Sequence, residues 1–581
     1  MQEDSNCRVY VNKPVNPIDA GYGLISATTV LVDRSREVII DFNSNMKLED
    51  KLDCCILDEN NKRELYKLTL LKNKEDLWTS KFLVKKLNIK NGKYKILIHI
   101  FSSFYVNCIY ECEYILLLKD EIIEERTFGA RYVELDYDDK VSTGNNSSKS
   151  WKDVWSHGPK LDVVIDFDQP WKLIFWRGTS YIPCWANNNI LATGAYCETI
   201  ESPPYADCCE PMMDRECRYS NVRIIQSSQA RAIINWRYAL SDFNYNICRD
   251  EWAEETYYIY PSGIASRFVN CYFDTNDKET YTISSVTGFP RPITYFESNN
   301  RRFHNSNEFI VINPKNSTCE DNIEENAFTI MDTKSFYKEI NWKDPLSSFG
   351  NLPVLNDYIF LLNLKNFSTF TATPSGDVWL DLSDSNGVIG WDEKIGKWNW
   401  EQVKIQAKFS TFIHWPIRRG MGTKPLKNRK SFFKQPTHSF IGCSGNSPIW
   451  WGENGCQWNW LVGISKDKKL LRRIVSNWIY PAEVIIKNGG KFVGYSSIEM
   501  AYIIECNNKE PISIIIDTNS IIEIPVFILR GLKKNLLKIT INNEKLKENE
   551  YSAGVEVLNN LRQTVLLLKD PISRSCEILI K

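Results

Sequence analysis

Between Phe175 and Trp185 the chain reads FWRGTSYIPCW. Arg177 is followed there by the hydroxyls of Thr179 and Ser180 and by the phenol of Tyr181, at the end of an aromatic run. A guanidinium presents a fork of donors that matches a planar anion, and hydroxyl and phenol groups exchange hydrogen bonds with polyols. The structural alternative is an Arg paired with a carboxylate across a sheet. The chain has 5 His, so each can be weighed singly. His99 lies inside the apolar run KILIHIF and reads as structural, and His157 stands before a Gly-Pro turn. His304 follows two Arg in a polar stretch, and His414 and His438 flank a basic loop carrying Arg418, Arg419 and Arg429. Long loops on a strand scaffold are where catalytic groups tend to gather.

Arg, Tyr and His together suit β-elimination on a uronic acid. The proton α to a carboxylate is very weakly acidic, so a cation must neutralise the carboxylate and stabilise the developing enolate. A His or Tyr then takes the proton, and a Tyr or His gives one to the leaving oxygen. Arg177 and Tyr181 fit the neutraliser and acid roles, with His414 or His438 as base. Trp185, Trp451, His304 and Arg429 are the candidate substrate contacts around them. A hydrolase with two carboxylates is the other enzymatic reading, with Glu297, Asp381, Asp392 and Glu453 as the groups to test. A binding protein with no catalysis, using Trp and Tyr as sugar platforms, is the third. No GxSxG, GxxxxGK[ST] or HExxH string occurs. A divalent cation, calcium or zinc, is compatible with such a site, although no ligand spacing demands one.

The elements that must hold these groups are strands. With 581 residues the chain is expected to form two to four domains. Its 43% hydrophobic and 25% charged residues are globular composition, and 71 Lys plus Arg against 72 Asp plus Glu leave a net charge of -1. That balance does not advertise nucleic-acid binding. No apolar run is long enough for a membrane helix, and the polar start MQEDSNCRVY lacks a signal-peptide core. The expected setting is secreted or periplasmic with a leader removed, with a cytoplasmic one as alternative. The 17 Cys include no zinc-finger spacing, and the group Cys184, Cys197, Cys208, Cys209 and Cys217 is dense enough for one disulfide. Cys271 and Cys506 sit in apolar strand patterns and read as buried thiols.

Short alternating runs from about residue 8 to 120 predict an N-terminal immunoglobulin-like β-sandwich, assigned to residues 1–135. The polar stretch 136–150 reads as a linker. Residues 151–470 form the expected central domain, a large antiparallel β-sandwich of the galactose-mutarotase kind, with a β-propeller as the alternative. In it, NVRIIQSSQARAIINWRYAL and ETYYIYPSGIASRFVNCYF read as hairpins. Residues 301–332 read as an acidic, Asn-rich loop region. KKLLRRIVSNWI, at 468–479, is the best helix, and residues 471–581 read as a C-terminal β-sandwich. The fold class is therefore all-β.

The blocks FWRGTSYIPCW, ECRYSNVRI with INWRYAL, YYIYPSGIASR, and FIHWPI with PTHSF resemble motifs of bacterial polysaccharide-utilisation proteins similar to ulvan-type polysaccharide lyases. The resemblance spans roughly residues 155–500. It implies a polysaccharide lyase acting on an acidic polysaccharide, with Arg177, Tyr181, Arg218, Tyr219, Arg237, Tyr238, His414 and His438 at the site. This chain departs from the pattern in the basic string KNRK at 427–430 and in Asn316-Ser317, where a Gly-containing turn is expected.

Overall fold

Alternation with a period of two puts successive side chains on opposite faces of a strand. The computed structural model of the chain follows that pattern almost throughout. It describes side chains for most of residues 128–135, 161–197, 209–272, 308–341, 357–374 and 448–581, and several further segments as strands alone. Eight strands, β1–β8, occupy residues 7–118 and form one sheet in the order β1-β8-β7-β4-β5-β6-β3-β2. Next come β9 (Gly129–Val133), β10 (Val141–Ser142), β11 (Ser148–Lys149), β12 (Asp162–Asp166), β13 (Lys172–Phe175), β14 (Pro183–Asn187) and β15 (Ile190–Thr199). They are followed by β16 (Asn221–Ser227), β17 (Ala232–Ser241), β18 (Ile247–Ile259), β19 (Ile264–Tyr272), β20 (Phe303–Asn313), β21 (Ile323–Met331) and β22 (Tyr337–Ile340). Then come β23 (Tyr358–Leu364), β24 (Ser368–Thr373), β25 (Val378–Leu382), β26 (Trp391–Asp392), β27 (Lys397–Trp398), β28 (Ser410–Phe412), β29 (Thr437–Asn446), β30 (Trp450–Gly452) and β31 (Gly455–Ile464). A helix, α1 (Lys468–Ile479), leads into the ten strands β32–β41 of residues 483–580.

Two large antiparallel sheets make the central body. The first runs β25-β29-β20-β15-β14-β13-β12-β9, with β28 also on β29. The second runs β16-β17-β18-β19-β31-β24-β23-β21-β22, with β30 also on β31. Their facing sides share one core: Val163, Phe175, Ile310 and Val311 from the first sheet, and Trp236, Tyr257, Phe360, Trp458 and Trp460 from the second. This is a sandwich, as the long hairpins without a blade-length repeat led us to expect, and not a propeller. Because β9 pairs with β12, the stretch 136–150 connects two strands of one sheet and contains the small β10–β11 hairpin.

Both expected hairpins form. β16 and β17 turn at Ser228, whose N–H donates to Arg231 O at 2.9 Å. β18 and β19 turn at Pro261-Ser262-Gly263, where Gly263 has φ +80 and its N–H donates to Tyr260 O at 3.0 Å. That left-handed backbone is the one glycine adopts without steric cost.

The loop expected over 301–332 is a correction. β20 lies between β15 and β29 inside the first sheet, and β21 between β22 and β23 in the second. Phe309, Ile310, Val311 and Ile312 are buried, so pairing on both edges overrides the polar, Asn-rich composition.

The C-terminal strands form two five-stranded sheets around a core of Ile504, Ile514, Ile516, Phe527, Leu566 and Ile578. Helix α1 is where the sequence places it. Asp467 caps it by accepting from the N–H groups of Lys469 and Leu470. Its buried residues Leu471, Ile474, Val475 and Trp478 fill the space between the C-terminal domain and the outward side of the second central sheet. Beside this apolar contact, Arg231 reaches Glu556 at 2.6 Å and Glu499 at 2.8 Å. The Arg231 and Glu556 side chains are both fully buried. Arg231→Ala would strand Glu556 without a counter-charge, and the expected loss is about 3–5 kcal/mol. Urea denaturation followed by Trp fluorescence checks this, and an unchanged midpoint would show that the ion pair does not secure the domains.

Candidate functional site

Arg177, the first candidate, sits in a single 3-10 turn, Arg177–Thr179, and turns inward. Asp162, at the start of β12, accepts from Arg177 Nε at 3.1 Å, from Nη2 at 3.0 Å and from the Arg177 backbone N–H at 2.7 Å. It also accepts from the N–H of Leu135 at 2.8 Å. Desolvation by burial opposes the charge on Arg177, but the hydrogen bonds and charge of Asp162 outweigh it and raise the guanidinium above its ordinary value. The carboxylate-paired alternative is thus the arrangement found. Tyr181, at φ 63, is buried and donates its hydroxyl to Leu161 O at 3.0 Å. Burial pushes its phenol well above the ordinary value, so it stays protonated. Trp185 is core, its ring tilted against Phe167 at 5.8 Å.

Tyr238 is also interior. Its hydroxyl donates to Glu255 Oε1 at 2.7 Å and accepts from the N–H of Cys197 at 2.7 Å. Glu255 in turn accepts from Tyr257 at 2.6 Å and from Arg267 Nε and Nη2 at 2.7 and 2.6 Å. Burial raises both phenols, with the Glu255 charge adding to it. This network lies under Trp460, 5.5 Å from Arg267. Nearby, Cys271 Sγ is 3.6 Å from Cys197 Sγ. Cys184, Cys197, Cys209 and Cys217 are all buried free thiols, Cys208 lies outside the described residues, and Cys506 is only half-buried. Among the described residues no group of three or more His, Cys, Asp or Glu is arranged to hold a metal ion. A small cavity beside Trp185, Tyr257 and Phe309 has room of about 20 Å³, enough for about one water molecule. That cavity has no room for a sugar, and among the described residues Arg177, Tyr181, Trp185 and Tyr238 are all buried, the first, second and fourth in hydrogen bonds to other interior groups.

Of the His candidates, His304 and His438 have described strand positions, and these lie apart. On the β15-β20-β29 ladder His304 pairs with Glu198, while His438 pairs with Ile312. Eight residues of strand separate the two positions, about 27 Å. His157, His414, Arg429, Glu297 and Glu453 lie outside the described residues, as do the side chains of His99, Trp451, Asp381 and Asp392.

The other candidates do come together, on the outward face of the second sheet. Arg218 lies over the Tyr245 ring at 3.9 Å, and Tyr219 donates to Tyr245 O at 3.0 Å. Tyr219 meets Trp252 edge-on at 6.3 Å, and the Arg237 guanidinium covers the same Trp252 at 4.8 Å. Arg237 is the entry to a longer feature. Register pairs Asn221 with Arg237, Arg237 with Glu254, Glu254 with Asn270, Asn270 with Gln457, and Gln457 with Trp450. Residues paired across antiparallel strands share a face. Six strands thus carry one transverse row, Asn221-Arg237-Glu254-Asn270-Gln457-Trp450, about 24 Å across.

Contacts tie the row together. Gln457 donates to Asn270 Oδ1 at 2.8 Å, and Asn235 donates to Glu254 Oε1 at 2.9 Å. Arg223 reaches Glu254 at 3.9 Å, and Tyr272 donates to Glu254 Oε2 at 3.3 Å. Burial, with the Glu254 charge adding to it, raises the Tyr272 phenol. Most of the row is half-buried, but Trp450 is 51% exposed. Toward the C-terminal domain the same face turns apolar at Ile264, Phe370, Ala372 and Leu461, and is covered. In the polar half of the same face Trp252 is buried as well.

Sequence reasoning missed Asn221, Glu254, Asn270, Gln457 and Trp450. The string CQWNW held a usable signal, since Gln457 and Asn459 alternate with three apolar residues.

No family model matches the sequence, and no curated protein matches it. Among solved structures, the galactose 1-epimerase from Lactobacillus acidophilus NCFM is similar, with a TM-score of 0.24 and 9% identity. The match covers 58% of this chain and 98% of that one. The site's chemistry therefore rests on its own residues.

Arg177→Gln should cost about 3–5 kcal/mol of stability, because Asp162 keeps its buried charge and loses its partner. Tyr181→Phe should cost about 1 kcal/mol, one hydrogen bond. Thermal and urea unfolding measure both. A variant of either residue with unchanged stability and lost function would return that residue to the active site.

Proposed function

We propose that the protein recognises an acidic carbohydrate through the outward face of its second central sheet. The observation that carries this reading is the transverse row from Asn221 to Trp450. Amide, guanidinium and carboxylate groups are planar and can each make paired hydrogen bonds to vicinal hydroxyls. Arg237, Arg218 and Arg223 together give this end a positive field that favours a carboxylate or sulfate on the sugar. Trp450 supplies an exposed apolar ring for the C–H face of a pyranose. Half-burial of the row lowers the local dielectric and strengthens each of these contacts.

Cleavage by β-elimination is the second reading, and one feature of this face favours it. Arg237, Glu254 and Tyr272 are neighbours, which gives a neutraliser, a carboxylate able to take a proton and a phenol kept protonated by burial. Elimination would thus draw on this trio and not on Arg177 and Tyr181.

Titration calorimetry against pectic, alginate and glycosaminoglycan polymers, with neutral glucans as controls, tests recognition. Binding confined to the acidic polymers is expected, falling about tenfold or more in Arg237→Gln, as for an interface anchor. Equal binding to neutral glucans, or none to any acidic polymer, would contradict the proposal. Absorbance of the unsaturated uronate product tests the second reading. A rise that Tyr272→Phe abolishes supports elimination, and no rise leaves recognition alone.

A further inference from the structure

Two of the buried thiols face each other across the central sandwich. Cys197 belongs to β15 in the first sheet and Cys271 to β19 in the second. The Cys271 thiol donates to Cys197 Sγ at 3.6 Å, and both residues are buried. A third thiol, Cys456 on β31, stands opposite Cys271 in the strand register and is hydrogen-bonded to it. The surroundings hold Cys197 in place. Its N–H donates to the Tyr238 hydroxyl at 2.7 Å, and Arg267 Nη2 reaches its Sγ at 3.9 Å. Tyr238 and Arg267 are both anchored by Glu255. A disulfide keeps its sulfurs about 2.05 Å apart, so an approach of about 1.5 Å closes the Cys197–Cys271 pair.

We propose that Cys197 and Cys271 are an oxidation site, closing a disulfide between the two sheets when the chain folds in an oxidising medium. Oxidised glutathione suffices as the oxidant. The thiolate of one cysteine attacks a glutathione sulfur, forming a mixed disulfide and releasing one glutathione thiolate. The thiolate of the other cysteine then attacks the protein sulfur of that mixed disulfide and releases the second glutathione. Two protein thiols and one glutathione disulfide thus become one protein disulfide and two glutathione thiols, with two electrons passing to glutathione. Burial pushes the Cys271 thiol well above its ordinary value, and a thiol that keeps its proton is a poor nucleophile. The bond therefore forms before the core closes, or during local opening. Cys456 competes for Cys271, but the loop lengths favour Cys197. Cys197 is 74 residues from Cys271, and Cys456 lies more than twice as far along the chain, so the Cys197 bond closes the smaller loop at lower entropic cost. That loop contains β16, β17 and β18, so the bond restricts the unfolded chain across three strands of the second sheet.

Peptide mapping of the full chain tests the proposal without any substitution. The chain is produced once in a reducing cytoplasm and once in an oxidising periplasm, denatured in an alkylating reagent and digested without reductant. A peptide pair joining Cys197 to Cys271 is expected from the periplasmic chain, with both residues alkylated in the cytoplasmic one. Oxidised glutathione should convert the cytoplasmic chain to the linked form in urea just below its unfolding transition, and far more slowly without urea. The urea midpoint of the linked chain should fall when dithiothreitol is added, and Cys271→Ala should lose that dependence on reductant. Alkylated Cys197 and Cys271 in every preparation, or a peptide pair joining Cys271 to Cys456, would overturn the proposal. Linkage at the same rate with and without urea would overturn its formation through opening of the core.

Discussion

The two-residue period of β17, β18, β19 and β31 is the constraint on which the molecule depends. A slip of one residue would turn every side chain of a strand to the other face. Here the inner face carries Trp236, Tyr238, Glu255, Tyr257, Arg267, Trp458 and Trp460, all buried. The Glu255–Arg267 pair fixes that register more sharply than apolar residues could. Both side chains are fully buried, and out of register each would be a charge without its partner. With the inner face held this way, the outward positions of the same strands are set as well. Arg237, Glu254, Asn270 and Gln457 form a straight row because their neighbours one residue away are locked in the core.

What the outward face does then depends on its neighbours. At one end, Ile264, Phe370 and Leu461 meet α1 and the C-terminal domain, with Arg231 and Glu556 as the buried ionic contact. At the other end the residues turn polar, and burying them under a second apolar layer would cost the desolvation of a guanidinium, a carboxylate and several amides. One strand set therefore serves as a domain interface at one end and as a polar floor at the other. This division of a single face accounts for the placement of the candidate site better than any single motif does.

The fold class was legible from alternation. The hairpins at 221–241 and 247–272, the helix at 468–479 and the C-terminal strands all lie where the pattern puts them. β20 was not legible, because Asn305, Ser306 and Asn307 look like loop residues until two neighbouring strands pair with them. The site was half legible. Arg237 and Tyr238 are adjacent in a strand, so they must face opposite ways, and only one of them can belong to the outward row. The partner of Arg177, Asp162, is fifteen residues earlier and across a hairpin, a distance that no local string reveals. Glu254 and Glu255 are the same residue type in succession, and only the register tells the surface carboxylate from the core one.

The most direct measurement is to map where a glycan sits. An acidic oligosaccharide carrying a photoreactive group would be crosslinked to the full chain and the attached peptides sequenced. The account predicts labels within residues 216–272 and 449–457, on the outward strands, reduced by an excess of unlabelled acidic oligosaccharide. Competed labels confined to the first central sheet, to the peptide holding Arg177 and Tyr181, or to the C-terminal domain would contradict it.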